Sequence, residues 1–412
     1  MRYFFHTCVL LLFCIPVLAQ QNIQGVVVNA STGIPIPGAS VFISNTSKGA
    51  TTNANGEFLL TNVPIGKHNL VISNIGYETN VFPFSEAKLP LRIKVELTMK
   101  VKELENVVVE HSIEEGWDKW GKTFMDYFVG TTANAADCSI KNEKAIKFRY
   151  FKRSNRVKAY ADEPIILENK ALGYIVKYQL EEFEVNFTEE TFVFLGYTLF
   201  EKMQSTNKTR LAYWRKNRKA AYRGSILDFM RSLYNNKLEQ NGFEVLRAKR
   251  VPNVEKERVK ELYKMARARK GGGTAAIDLG TVFSSYPDDS INYFQTVLQQ
   301  KDYTEFLGRE LLTADSLLLR SEGESKTLYF ENYIYVLYTI ELAEEGFVKT
   351  IYPPVKAAEQ QSYATLLNGD AISIDKLGNY YNPRSFSTSS YWSWSEKMAN
   401  MLPIDYDPKD DD

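Results

Sequence analysis

From Ile23 onward apolar residues come in short, largely alternating runs: Ile23, Val26 and Val28, then Ala39 to Ile43, Phe58 to Leu60, and Leu70 to Ile72. Turn signals separate them, at Ser31-Thr32-Gly33, Pro35 to Gly38, Asn53-Ala54-Asn55-Gly56 and Pro64-Ile65-Gly66. Short strands at a spacing of about ten residues, punctuated by turns, predict a small antiparallel β-sandwich of about seven strands over residues 20–110.

Past residue 111 the period changes more than once. Ser112 with Glu115 reads as a capping box opening a helix, on which Trp117, Trp120, Phe124 and Phe128 share one face. Period two returns over Ala145 to Tyr150, Val157 to Tyr160 and Ile165 to Leu167. It is clearest where Phe183, Val185 and Phe187 alternate with Glu182, Glu184 and Asn186. Helical patterns follow from Thr209, again over Ile226 to Tyr234 with Ser225 and Asp228 as the cap, and from Asn253 to Lys270, where Gly271-Gly272-Gly273 stops it. Strands resume at Leu328 to Ile340, Phe347 to Tyr352 and Ala371 to Ile374, with a turn at Asp375 to Asn379. The fold class expected is mainly β: an Ig-like or prealbumin-like sandwich, then an α+β domain over residues 111–412 in which a curved antiparallel sheet carries packed helices.

The N-terminal stretch reads differently. Arg2 precedes an apolar run from Val9 to Leu18, and Val17 and Ala19 suit a signal-peptidase site, so residues 1–19 are expected to be a secretory signal peptide. Phe13 before Cys14 does not suit lipid anchoring. Removal would take Cys8, Cys14 and His6 and leave one thiol, Cys138, with His68 and His111. No intrachain disulfide is then available, and stability must come from packed cores. The longest later apolar stretch, Tyr329 to Ala343, is broken by Glu331, Asn332 and Glu341 and reads as a buried strand, so no transmembrane span is expected in the mature chain.

Charge and chemistry narrow the field. Fifty Lys and Arg balance fifty Asp and Glu, which disfavours nucleic acid as a partner. The basic residues between Lys256 and Lys270 are interleaved with Glu255, Glu257 and Glu261, a solvated face. The triple glycine lacks the Lys-Ser/Thr of a phosphate loop. His111-Ser112-Ile113-Glu114 has the spacing of two zinc ligands, but no histidine follows to complete a site. Cys138 has no imidazole near it in sequence and reads as a small buried hydrophobe. The adjacent acids Glu181/Glu182, Glu189/Glu190 and Glu344/Glu345 would point to opposite faces of a strand. No catalytic residue, cofactor or metal ligand is therefore expected.

Gly25-Val26-Val27-Val28, Thr32-Gly33, Pro37-Gly38-Ala39-Ser40-Val41, Gly56-Glu57-Phe58, Val63-Pro64-Ile65-Gly66 and Ser73-Asn74-Ile75-Gly76-Tyr77 together resemble the carboxypeptidase-like regulatory domain, a prealbumin-like β-sandwich. The resemblance implies fold-determining roles for Gly25, Gly33, Pro37, Gly38, Gly56, Phe58, Pro64, Gly66, Gly76 and Tyr77, and no catalytic role. The same module often heads TonB-dependent outer-membrane receptors, and Leu97 to Glu110 is similar to their junction into the plug. Residues 111–412 are too few for a barrel of about 22 strands at about 10 residues each, and they carry helices, so a receptor is not expected. Leu172-Gly173-Tyr174, Tyr222-Arg223-Gly224-Ser225 and Leu402-Pro403-Ile404-Asp405-Tyr406 resemble the uncharacterised region that accompanies this domain in short envelope proteins of Gram-negative bacteria.

The function expected is that of a non-catalytic exported binding or scaffold protein, in the periplasm or associated with the outer membrane. Its partner would be an envelope protein, a glycan or an outer-membrane component. Tyr391, Trp392 and Trp394 are candidate binding residues, and a content of 25 tyrosines suits recognition and sheet cores equally. Two alternatives stand beside it: a carboxylate-dependent hydrolase of glycan or peptide, needing convergent acids, and a lipid or lipoprotein carrier, needing a continuous apolar groove. A binding protein predicts an exposed aromatic patch or an unpaired sheet edge.

Overall fold

The computed structural model describes residues 21–100, 110–269, 279–322 and 324–411. The expected signal peptide, residues 101–109 of the junction from Leu97 to Glu110, and the Gly271 to Gly273 stop lie outside the described residues.

Seven strands form the first body: β1 (Ile23–Asn29), β2 (Ser40–Ile43), β3 (Gly49–Thr51), β4 (Glu57–Leu60), β5 (Lys67–Ser73), β6 (Asn80–Ser85) and β7 (Leu91–Leu97). They make two sheets, in the orders β4-β1-β7 and β3-β2-β5-β6. Alternation aims Ile23, Val27, Val41, Ile43, Leu70 and Ile72 between the sheets, where all are fully buried. At about 1.5–3 kcal/mol for each large aliphatic side chain, that layer is what holds the sandwich together. One pairing departs from the antiparallel expectation: β1 runs parallel to β7, from Ile23 opposite Leu91 to Asn29 opposite Leu97. The first and last strands of the body thus lie side by side. Gly25 permits this, because a Cβ there would run into the Ile93 carbonyl and the ring of Phe58.

Residues 111–202 build a seven-stranded sheet from β8 (Ser112–Glu115), β9 (Cys138–Ile140), β10 (Ile146–Phe151), β11 (Arg156–Ala161), β12 (Ile165–Asn169), β13 (Tyr174–Asn186) and β14 (Thr191–Lys202). β14 lines one edge of β13 along its whole length, while β12 pairs with Tyr174 to Tyr178 and β11 with Glu184 to Asn186. Helix α1 (Trp117–Phe124), continued by a wide π-type turn over Met125–Val129, lays its aromatic stripe on this sheet. Phe124 and Phe128 are fully buried, with ring centroids 4.7 Å from Phe183 and 4.9 Å from Tyr178 respectively; Trp117 and Trp120 pack at the margin. The stripe is core, as its spacing implies. The capping box is not formed. Ser112–Glu115 is an edge strand paired with β10, and α1 starts after Gly116 with no side-chain cap. Pairing with Phe148 to Phe151 outweighs the local cap signal, and Glu115 instead accepts from the indole of Trp120 at 2.5 Å.

Three more helices follow: α2 (Lys208–Tyr222), α3 (Ile226–Tyr234) and, after strand β15 (Phe243–Pro252), α4 (Val254–Arg269). Ser225 caps α3 by accepting from the Asp228 N–H, and Asp228 reaches back to the Gly224 N–H, a reciprocal cap. Helices α5 (Leu279–Val282) and α6 (Asp288–Gln299) pack with α4 around Val259, Phe283, Phe294 and Val297, a small helical body inserted between β15 and β16 (Tyr303–Leu311). The remaining strands are β17 (Leu318–Glu322), β18 (Ser325–Leu328), β19 (Tyr333–Leu342), β20 (Glu359–Leu366), β21 (Ile372–Asp375), β22 (Tyr380–Tyr381) and β23 (Phe386–Ser390). They divide into a five-stranded sheet, β16-β15-β19-β20-β23, and a four-stranded one, β17-β18-β21-β22. Phe229, Met230 and Leu233 of α3 fill the space between them. The α+β region thus spreads its strands over three sheets. The expected strand from Leu328 to Ile340 is strand only from Tyr333: Leu328 ends β18, residues 329–332 lie outside any strand, and Asn332 takes a φ of 57° just before β19. Phe347 to Tyr352 is no strand either: Glu345–Val348 is a helical turn, and the Phe347 ring packs on Tyr391 and Trp394.

The bodies are joined through a seam. Thr46, in the loop after β2, bridges Leu199 of β14 in parallel, with hydrogen bonds from Asn45 N to Thr198 O at 2.7 Å and from Phe200 N to Thr46 O at 3.0 Å. Asp405 accepts from the Ser47 N–H at 2.8 Å and the Ser47 hydroxyl at 2.5 Å, while Ile404 N donates to Asn45 O. On the far side Arg231 of α3 donates to the carbonyls of Leu377 and Ile404. Leu402 to Tyr406 is therefore a clasp shared by the sandwich and both sheet systems. Asp405→Ala is expected to cost about 1–2 kcal/mol, two hydrogen bonds to a carboxylate. Faster amide exchange at Ser47 and a lower denaturation midpoint would register it.

Candidate functional site

β15 ends in Val251-Pro252, and proline cannot extend the ladder, so the chain leaves the sheet into α4 and returns as β16 directly opposite. This register sets Arg250 across from Glu305 and Pro252 across from Tyr303. Neighbouring pairings set Tyr333 of β19 opposite Ala248 and Tyr335 opposite Tyr363 of β20. Arg250, Tyr303, Glu305, Tyr333 and Tyr363, scattered over more than a hundred positions, are thereby brought to one sheet face, away from the core that contains Val245, Ile334 and Val336.

The guanidinium of Arg250 is the centre of the group. Its carbon lies 4.5 Å from the ring centroid of Tyr303, 4.6 Å from Tyr333 and 4.4 Å from Tyr363. Its Nε donates to Glu305 Oε2 at 3.2 Å, and the Tyr363 hydroxyl donates to Glu305 Oε1 at 2.5 Å. Burial, together with this bond to Glu305, holds the Tyr363 phenol protonated well above its ordinary range. Three ring faces around one delocalised cation form a stiff assembly, because cation–π attraction strengthens as water is excluded.

Beside it opens a cleft of about 490 Å³, lined by Asn253, Gln300, Lys301, Tyr303, Thr304, Glu305 and Tyr363. Asn253 fixes its helical wall. Its Oδ1 caps α4 by accepting from Lys256 N, and its Nδ2 donates to Gln300 Oε1 at 2.9 Å and to Lys301 O. At the rim Lys260 and Lys256 hold the Asp302 carboxylate at 2.6 and 3.1 Å and lower its pKa. The lining offers amides, hydroxyls, an ammonium and one carboxylate: dense hydrogen-bonding chemistry, with neither a paired acid nor a nucleophile–base couple. A second, shallower hollow of about 730 Å³ lies on the outer face of β4-β1-β7, between Gln24, Glu57, Leu59 and Lys94.

The residues singled out from sequence fall elsewhere. Trp392 is 2% exposed; its indole donates to Gly224 O at 2.8 Å and its ring lies 5.1 Å from Phe229. Tyr391 is buried against Phe347 and Trp394, and Trp394 is half-buried in the same small cluster. Their aromatic surface is spent on the protein's own packing and lines neither cleft. In the sandwich, Gly33, Gly38, Gly56, Gly66 and Gly76 all take positive φ, Phe58 is buried against Gly25, Pro37 is exposed, Pro64 is half-buried and the Tyr77 hydroxyl accepts from Asn29. His111 is exposed, and Glu114 pairs with Arg149. His68 is buried beside Phe84 with Nε2 3.2 Å from Ile65 O. Burial, with Asp137 adjacent, pushes the Cys138 thiol up to about 12, so it stays protonated. Buried carboxyls do occur, each tied to backbone. Burial raises Asp228 to about 6 against the Gly224 N–H, and Glu396 to about 8 against the Ile226 N–H. Asp375 is raised by burial although Tyr381 and the N–H groups of Leu377 and Asn379 bind it. Among the described residues no three His, Cys, Asp or Glu side chains cluster as metal ligands, and no helix is long and apolar enough to cross a membrane.

Comparison with known proteins bears on the first body. Residues 23–109 match the family model of the CarboxypepD_reg-like domain. TonB-dependent receptor P39 of Formosa agariphila is 38% identical over 93 residues, covering 22% of this chain and only 8% of that receptor's length. Among solved structures, a point mutant of catechol 1,2-dioxygenase from Acinetobacter radioresistens shares 14% identity over 23% of this chain and 56% of its own, with a TM-score of 0.18. A putative membrane-associated protein of unknown function from Bacteroides fragilis covers 86% of this chain and 93% of its own at 10% identity and a TM-score of 0.15. Scores of that size carry no argument. The sandwich is thus of the regulatory-like kind, and an envelope protein of a Gram-negative bacterium fits the match to the receptor.

Proposed function

We propose that the protein is a non-catalytic envelope binding protein in which the sandwich and the α+β region act as one docked unit, and that the cleft beside Arg250 receives a glycan of the envelope. The cleft itself carries the reading. A hollow of about 490 Å³ walled by amide, hydroxyl, ammonium and carboxylate groups suits a polyhydroxylated ligand, and the locked Arg250–Glu305–Tyr363 assembly keeps those groups in place before binding. The export expected from residues 1–19 and the receptor similarity support a periplasmic or outer-membrane-associated setting. The division at about residue 110 into a regulatory-like module and a partner-facing region belongs to the same proposal.

Titration of the purified full chain with oligosaccharides released from a Gram-negative envelope tests it. Gln300→Ala and Lys301→Ala are expected to weaken binding about tenfold with an unchanged melting temperature. Arg250→Met should abolish binding and cost about 2 kcal/mol, because it leaves Glu305 half-buried without its cation. Affinity indifferent to all three changes would remove the cleft from the function. Turnover of a glycan or peptide, lost in Glu305→Gln, would make the protein a hydrolase instead.

A further inference from the structure

Acids and bases balance over the whole chain but not along it. No Asp or Glu stands between Glu201 and Asp228, and inside that interval the residues from Lys208 to Arg223 include seven Lys or Arg. They form α2 and its C-cap. One side of the helix is fastened down: Trp214 is buried, its indole donates to Lys170 O at 2.8 Å, and Asn217 and Arg218 donate to the carbonyls of Ala171 and Leu172. Helical spacing therefore turns Lys208, Ala212, Lys216, Lys219 and Arg223 outward in one row, about 22 Å long at about 1.5 Å per residue. Lys208, Ala212, Lys216 and Arg223 are exposed, as are Arg210 and Arg215 on the flanks. Carboxylates reach the helix at its sides and its end: Asp411 holds Arg218 and is further stabilised by the charge of Arg215, Asp137 accepts from Tyr213, and Glu341 pairs with Arg223. Lys208, Arg210, Arg215 and Lys216 are in no salt bridge among the described residues. Helix α4, also rich in cations, is the contrast: Arg258 pairs with Glu255, Lys264 with Glu261, and Lys256 and Lys260 with Asp302.

We infer that the outer face of α2 docks on an anionic lipid surface, with phosphate headgroups meeting the row from Lys208 to Arg223. Sign and texture both select this partner. A specific protein interface has an apolar, often aromatic centre from which charge is depleted. On this face the positions between the cations are Thr209, Ala212 and Ala220, which supply neither a ring nor a pocket, and Tyr213 beside them is tied to Asp137. What remains is charge of one sign along a straight line. Mobile headgroups can bring a phosphate to each cation wherever it stands, so a bilayer needs no matching pattern, whereas a folded acidic protein does. The long Lys and Arg stems reach past the small side chains between them, so the charges meet the surface first. With no large apolar side chain in the row, the helix lies on the headgroups without sinking between the acyl chains. Its attraction is electrostatic and is lost as salt shortens the screening length. The contact does not depend on what the cleft binds.

Co-sedimentation of the purified full chain with lipid vesicles tests it, comparing phosphatidylcholine alone with phosphatidylcholine containing about one third phosphatidylglycerol. Binding is expected only to the second, at about 0.1 M salt, where the screening length is about 10 Å, and should be lost at about 1 M, where it is about 3 Å. Lys208→Glu/Lys216→Glu changes two exposed side chains and should weaken binding roughly tenfold or more with an unchanged melting temperature. Lys122→Glu/Lys264→Glu makes the same change in net charge at exposed positions on other helices and should leave the affinity within about twofold. Equal binding to both kinds of vesicle, binding that survives high salt, an undiminished affinity of the α2 variant, or equal losses in the two double variants would each overturn the proposal. Binding to neither vesicle, with capture of an acidic protein that the α2 variant alone loses, would overturn it in favour of a protein partner.

Discussion

Trp392→Ala is expected to lower stability by about 3–5 kcal/mol, the range for truncating a fully buried aromatic residue, with the cavity left inside the molecule. The side chain is 2% exposed, lies against Phe229, and satisfies the Gly224 carbonyl through its indole N–H. Trp392→Phe isolates that last contribution: the ring remains, but a buried carbonyl loses its donor, at about 1–3 kcal/mol. Chemical denaturation of the two variants measures both numbers. A binding role for Trp392 would show the reverse pattern, weaker ligand affinity with an unmoved denaturation midpoint. Since Gly224 immediately precedes the cap of α3, losing this bond should also loosen the helix start, visible as faster amide exchange at Ile226 to Phe229.

The second large effect is a pH dependence. Burial raises the Glu396 carboxyl to about 8, although the Ile226 N–H donates to it. In the unfolded chain it ionises near 4.3. Between these values the folded state holds a proton that the unfolded state has released, so stability is fully present below about pH 4 and is lost as pH rises through 8. Asp228, raised to about 6, acts with the same sign over a lower range, so pH 6 to 8 isolates Glu396. Neighbouring Lys397, lowered to about 8 by burial against the pull of Asp126, has the opposite sign and restores stability only above that pH. The wild type should therefore show a minimum near pH 8. Glu396→Gln keeps an acceptor for Ile226 and removes the titration, and its advantage over wild type should grow by up to roughly 1.4 kcal/mol per pH unit across the window. Denaturation midpoints of both proteins at pH 6, 7 and 8 check it; parallel profiles would show that Glu396 ionises normally.

The sandwich was legible because two independent signals agree there: alternation supplies the buried layer, and turn residues with positive φ, such as Gly33 and Gly56, place the reversals. The aromatic stripe from Trp117 to Phe128 was legible for the same reason, since its spacing is local. The errors arise where a local pattern met a competing long-range contact. Ser112 and Glu115 have the composition of a cap, yet β10 offers four residues of ladder. Tyr391 and Trp392 look like a surface aromatic patch, but nothing in their spacing distinguishes that from a core lid. The Arg250 assembly had no local signature at all. Its members lie on β15, β16, β19 and β20, and only strand register, which a one-residue slip would undo, brings them together. The alternation of Tyr333 and Tyr335 is the nearest thing to a warning that one face of β19 was reserved for phenols.

Residues 398–411 follow in the chain everything that they fasten. Met398 and Ala399 donate to carbonyls of Phe128 and Val129, Ile404 and Asp405 grip the loop after β2, and Asp411 closes on Arg218 through two bonds of 2.8 and 2.6 Å. A polypeptide delivered amino end first would therefore have each lobe emerge long before its latch, and maturation would finish in a single late step. Until then a chaperone or a protease would meet the lobes as separate, incompletely sealed units.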